Sequence, residues 1–91
     1  MALLPLARIQ ARMQELNEWS LNSNSLMKEF QLKDFREALL FVNKVSEIAD
    51  KSNHHPSILI NYNLVRLDLT THDEHGLTDK DFALAREIDR L

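Results

Sequence analysis

Three histidines stand where the sequence changes from one kind of element to another. His54 and His55 open the stretch NHHPSILINYNLVRLDLTTH, residues 53 to 72, and His72 closes it. Pro56 biases His55 toward extended backbone, and adjacent side chains on an extended chain point to opposite sides. The two neighbours therefore reach one ligand only if it sits across their junction. Imidazole gives or takes a proton near neutral pH, so three of these rings at one end of a small sheet would make an acid/base site. Three imidazoles and a water would also suit catalytic zinc. Against that, His54 and His55 need a tight bend to aim both nitrogens at one ion, and the i, i+4 helical spacing of common zinc motifs is absent. The plainest alternative is that the rings end elements and bond to backbone. His75 falls in a loop and reads as a surface residue.

The elements that must position these rings are legible on either side. Ile58, Ile60 and Tyr62 alternate with Leu59, Asn61 and Asn63, and Val65, Leu67 and Leu69 alternate with Arg66, Asp68 and Thr70; a period of two predicts a pair of strands. Upstream, Asp34 with Glu37 has the form of a capping box with Asp in the usual Ser/Thr place. Phe35, Ala38, Leu39, Val42, Val45 and Ala49 share one helical face, and Asn53 before Pro56 is a left-handed stop. A helix over about 35–52 thus delivers His54 and His55 to the third strand. Downstream, residues 72–76 read as a loop and Thr78 begins a last helix with Asp81 completing its cap, Phe82, Ala85, Ile88 and Leu91 forming the apolar stripe.

The first third supplies the remaining layer. Pro5 suits a first helical turn, and Leu6, Ile9, Met13 and Leu16 form a stripe, predicting a helix over about 5–17. Arg8 and Arg12, with no acid before Glu15, also fit a short targeting peptide, but the stripe favours the helix. Trp19 and Leu21, the turn formers Asn22 to Ser25, and then Leu26, Phe30 and Leu32 predict a β-hairpin. Lys28 shares the apolar parity and is expected at an edge with its amine led out to solvent. The order α-β-β-α-β-β-α predicts a two-layer α+β domain spanning residues 1–91, three helices on one face of a four-stranded antiparallel sheet.

Composition narrows the function. A chain of 91 residues makes a small domain that buries only about two-thirds of its unfolded surface, which favours self-association. With no cysteine there is no disulfide, thiol catalysis or thiolate metal site, in keeping with a reducing compartment. A net charge of -3 gives no footprint for nucleic acid. No apolar run approaches the roughly 18 residues of a membrane span. Nucleotide-binding glycine motifs and a nucleophile elbow are absent.

HHP at residues 54–56, YN-x-V at 62–65, TTH at 70–72 and LTDKDFALA at 77–85 together closely resemble the pterin-4a-carbinolamine dehydratase family, also known as a dimerisation cofactor of a homeodomain transcription factor. The resemblance begins near Trp19 and runs to the C-terminus. It implies the same fold and the dehydration of 4a-hydroxytetrahydropterin to quinonoid dihydropterin in tetrahydrobiopterin recycling, with no cofactor and no metal, the pterin being the substrate. By this resemblance His54 and His72 give protons to the 4a-hydroxyl on its two faces, while His55 binds pterin and acts as base. Asp81 matches an active-site aspartate, and Asp50 an acidic residue that orients the site; both are expected to contribute to substrate binding. Each also has a structural reading, Asp81 as a helix cap and Asp50 as a solvated helix residue. Where the family commonly carries an acidic residue and a tryptophan after HHP, this chain has Ser57 and Ile58, so pterin contacts at that wall are expected to be weaker or differently arranged. The resemblance further implies a homodimer or homotetramer, in the cytoplasm and in the nucleus too for members that act as coactivators. The alternative function is a non-catalytic dimerisation cofactor binding a transcription factor.

Overall fold

The computed structural model describes residues 2–91. Its elements run α1 (Leu6–Met13), β1 (Ser20–Asn22), β2 (Ser25–Gln31), α2 (Phe35–Ser52), β3 (Ser57–Asn61), β4 (Leu64–Leu69), a 3-10 turn (His72–Glu74) and α3 (Asp79–Asp89). The α+β order is the predicted one. The four strands form one antiparallel sheet in the order β1-β2-β4-β3.

Register explains the core. Leu26 pairs with Leu69, Lys28 with Leu67 and Phe30 with Val65, while Ile58 and Ile60 lie opposite Leu67 and Val65. These side chains therefore share one face. Against it pack Ala38, Val45 and Ala49 of α2 and Phe82, Leu84, Ala85 and Ile88 of α3. The other face carries Glu29, Arg66, Asp68, Ser57 and Asn61. There the Asp68 carboxylate, hydrogen-bonded to Arg66 Nε at 3.0 Å, raises the guanidinium above its ordinary pKa.

Lys28 interrupts the apolar parity, and the sheet accommodates it. The pairing of β1 with β2 stops at Ser20 opposite Met27, so from Lys28 onward that side of β2 has no strand partner. Lys28 Nζ bonds to the Asn17 carbonyl and to Asp89 Oδ1, each at 2.8 Å, and lies 5.0 Å from the Phe30 ring centroid. Trp19 Nε1 donates to the other oxygen of Asp89 at 2.9 Å.

Several boundaries and faces differ from the pattern in the sequence. Helix α1 ends at Met13 rather than near residue 17, because Glu15 and Leu16 bond back only three residues, to Arg12 and Met13, and Glu18 has φ 63°. No residue of α1 is buried, and Leu6 is exposed. The helix is held by Ile9 and Met13, half-buried against the core, by Arg12, 5.0 Å above the Phe82 ring and 2.5 Å from Asp79, and by an ion pair between Arg86 and Glu15. Tyr62 is not in a strand. It occupies the β3–β4 turn with φ 54° and an exposed ring. Phe35 and Leu39 on α2, and Leu91 after α3, are exposed although they share the apolar stripes; the covering layer is too small to reach the flanks of each stripe. Part of the segment from His72 to Gly76 is a 3-10 turn rather than irregular loop.

Candidate active site

The two ends of the sheet's second hairpin are brought together by helix termini. Helix α2 starts at Asp34, whose side chain accepts the Glu37 N–H at 2.9 Å. It stops in a Schellman arrangement: Asn53 is left-handed at φ 53°, its N–H reaches the Asp50 carbonyl at 3.2 Å, and the His54 N–H reaches the Ala49 carbonyl at 3.1 Å. That reversal turns the chain so that His54 enters the protein. The neighbouring His55, restricted by Pro56, stays outside.

His72 is carried by the 3-10 turn, which a backbone bridge between Thr71 and Gly76 ties off. Gly76 lies close to the Leu3 side chain: a Cβ at this position would stand 2.9 Å from Leu3 Cδ2, the end of an exposed side chain that could move aside. His54, His55 and His72 line one open cavity of about 270 Å³, together with Asn53, Thr70, Thr71, Asp73 and Lys80. None of the last five carries a site role of its own in the sequence, Asn53 being read there only as a helix stop. Asn53, Thr71 and Asp73 flank the histidines directly, and Thr70, Thr71 and Lys80 lie within the TTH and LTDKDFALA motifs.

The two adjacent rings are held differently. His54 is 9% exposed, and its Nε2 lies 2.6 Å from Asp81 Oδ1. Asp81 is wholly buried; its Oδ2 accepts from the Thr71 hydroxyl at 2.8 Å and from the Thr78 N–H at 3.0 Å. His55 Nε2 pairs with Asp50 Oδ1 at 2.9 Å, but both side chains are largely in solvent, where such a pair adds little rigidity. One ring is thus fixed, and the other is free to exchange protons with water.

The carboxylates depart from a direct binding part. Asp81, the expected substrate contact, has no surface to offer, because both oxygens are used within the protein and its side chain closes the Thr78 capping box. Its reach into the cavity runs through His54. Asp50 does not line the cavity either and touches it through His55. Ser57 and Ile58 are likewise outside the lining of the cavity, Ile58 sitting on the helix-covered face of β3. His75 is on the surface, as expected, with its carbonyl accepting from the Asn24 amide.

Among the described residues, no three His, Asp or Glu side chains converge in a metal-holding group, and no helix is long and apolar enough to cross a membrane. What the arrangement offers a ligand is three imidazoles, the Thr70 hydroxyl, and one carboxylate and one ammonium at Asp73 and Lys80; the Thr71 hydroxyl is taken up by Asp81 and Thr78.

Comparison with known proteins identifies the family. A family profile described as Pterin 4 alpha carbinolamine dehydratase matches residues 2–91. A protein of Thermomicrobium roseum, provisionally named a pterin-4-alpha-carbinolamine dehydratase, is 45% identical over 91 residues, covering 100% of this chain and 98% of its own. One from Picosynechococcus with the same provisional name is 49% identical over 83 residues, covering 91% and 90%. Among solved structures, a transcriptional coactivator/pterin dehydratase from Brucella melitensis superposes with TM-score 0.92 at 29% identity over 97% of this chain and 96% of that one. A pterin dehydratase-like protein described as a RuBisCO assembly factor of the alpha-carboxysome shares the fold, with TM-score 0.69 at 18% identity over 81% and 88% of the two chains. With a profile match over nearly its whole length and relatives this similar, the chain belongs to the pterin 4 alpha carbinolamine dehydratase family.

Proposed function

We propose that the protein dehydrates 4a-hydroxytetrahydropterin to quinonoid dihydropterin by histidine general acid/base catalysis, as a step of tetrahydrobiopterin recycling. The observation that carries this reading is the convergence of His54, His55 and His72 on one cavity in a chain of this family. In the reaction the C4a–O bond breaks and the hydroxyl leaves as water with a proton from an imidazolium. The N5–H proton goes to a second imidazole, and the electron pair left behind forms the C4a=N5 bond. Atoms and charge balance without a redox cofactor or metal. His54 and His72 are the acids, one for each face of the pterin, and His55 binds the ring and takes the N5 proton. The exposure of His55 suits a base that must return its proton to solvent. Turnover of the carbinolamine by purified protein tests the reading.

Self-association is part of the same proposal, as a homodimer or homotetramer. Phe35, Leu39 and Leu40 of α2 are exposed, and β2 has an unpaired side beyond Met27, surfaces that a second copy would cover. A second function, as a dimerisation cofactor for a protein partner, is favoured by one observation: the Brucella melitensis relative is described as a transcriptional coactivator as well as a pterin dehydratase. Titration with candidate helical partners, scored separately from turnover, tests that role.

A further inference from the structure

The carboxylate of Asp81 lies at the end of a hydrogen-bond chain whose direction follows from counting protons. A hydroxyl has one proton to give. Thr71 gives its proton to Asp81 Oδ2 at 2.8 Å, so in the 2.8 Å contact between the Thr71 and Thr78 hydroxyls it is Thr78 that donates. Thr78 Oγ1 in turn accepts the Lys80 N–H at 3.3 Å, and the Thr78 N–H points at the same Oδ2. Every proton in the chain is directed toward the carboxylate.

The remaining oxygen, Oδ1, faces His54 Nε2 at 2.6 Å. Imidazole is a stronger base than a carboxylate, and two donors already hold Oδ2, so the shared proton belongs to Nε2. His54 Nδ1 has no hydrogen-bond partner among the described residues. No side-chain nitrogen or oxygen among them is both buried and unbonded, so Nδ1 is open where the ring lines the cavity.

We propose that Thr71 and Thr78 are positioning residues which, through Asp81, lock His54 in its Nε2–H tautomer and make Nδ1 the atom that exchanges the proton with the substrate. In its neutral form His54 then presents a bare Nδ1 to the cavity. Protonated, it presents an Nδ1–H acid whose charge is balanced by Asp81 on the far side of the ring. The orientation of the ring and the choice of nitrogen are both set by two hydroxyls, those of Thr71 and Thr78, which lie 17 and 24 residues beyond His54 in the chain; neither needs to touch the reacting atoms. The inference rests on the dehydratase reading for its kinetic consequence, but the tautomer itself does not.

The test uses the full chain with 15N-labelled histidine. A long-range 1H–15N spectrum of the parent, recorded where His54 is neutral, is expected to show the Nε2–H tautomer for His54. This needs no substitution, so it stands even if a variant fails to fold. Thr71→Val removes the donor while keeping the side-chain shape; it is expected to mix the tautomers and lower kcat about tenfold with KM within about twofold. Thr71→Ser is expected to restore both the spectrum and kcat. A parent His54 carrying its neutral proton on Nδ1 would overturn the proposal, as would a folded Thr71→Val protein with an unchanged spectrum and kcat. A parent that shows the Nε2–H tautomer but turns over no carbinolamine would refute the dehydratase reading and leave the positioning of His54 standing.

Discussion

Nε2 of His54 stands 2.6 Å from Oδ1 of Asp81, a residue 27 positions further along the chain. The contact joins the residue released by the C-terminal stop of α2 to the third residue of α3, so two helix caps and one side-chain pair fix the same ring. The geometry resembles a catalytic dyad in which a buried carboxylate orients an imidazole and stabilises its charged form.

Replacing that carboxylate by an amide should reverse the polarity of the dyad without emptying it. In Asp81→Asn the amide oxygen can still accept from Thr71 and Thr78, which turns the NH2 group toward His54 and forces the neutral ring to accept at Nε2. Stability is expected to change by about 1–2 kcal/mol at most, because most of the bonds are remade, whereas kcat should fall on the order of 100-fold or more from the wrong tautomer. Urea unfolding and turnover on the same preparation check both; a variant with parental kcat would contradict the role given to Asp81.

The three histidines should separate by parameter. His54→Ala and His72→Ala are expected to lower kcat on the order of 100-fold, with opposite preferences for the two 4a-hydroxyl epimers, and His55→Ala should mainly raise KM. His54→Ala alone should also be destabilised, since it leaves the buried Asp81 carboxylate short of a partner. His72 and His55 are exposed, and their variants should unfold at the parental denaturant concentration. Steady-state kinetics on resolved epimers, with a denaturation curve for each variant, distinguishes these outcomes.

Trp19 is the only tryptophan, and its indole N–H is bonded to Asp89, which also pairs with Lys28. Asp89→Ala should leave the part-buried Trp19 N–H without its acceptor and Lys28 with only the Asn17 carbonyl, costing about 1–3 kcal/mol, and should shift the tryptophan emission as the cluster opens. Fluorescence-monitored urea unfolding reads both quantities; an unchanged midpoint would mean that solvent replaces the carboxylate at no cost.

How much of this was legible in the sequence depends on the range of the interaction. Local signals were reliable: the limits of α2 follow from Asp34 and Asn53, the Thr78–Asp81 box is a matter of three residues, and Val65, Leu67 and Leu69 are buried as their alternation requires. Convergence of the three histidines came from pattern and family resemblance together. Periodicity failed where tertiary cover decides burial, at Phe35, Leu39 and Leu91, and where backbone geometry overrides alternation, at Tyr62. The bond from Thr71 to Asp81 joins a strand end to a helix start ten residues on and has no periodic signature. For the same reason Asp81 could be read as a cap or as a site residue but not as both.

Self-association is expected at micromolar concentration, with Leu40→Asp shifting the population toward the monomer by placing a charge on an exposed apolar part of α2. Sedimentation equilibrium of parent and variant gives the masses. A strictly monomeric parent would contradict the proposed assembly.

The most direct test of the dehydratase reading is the rate of 4a-hydroxytetrahydropterin dehydration by purified protein, followed by stopped-flow absorbance with a chelator present throughout. The parent is expected to accelerate the reaction well above its spontaneous rate and to be unaffected by the chelator, with the triple variant His54→Ala, His55→Ala, His72→Ala returning to the spontaneous rate. A parent no faster than the uncatalysed reaction, activity lost on chelation and restored by zinc, or a folded triple variant as fast as the parent would contradict histidine acid/base catalysis in this cavity.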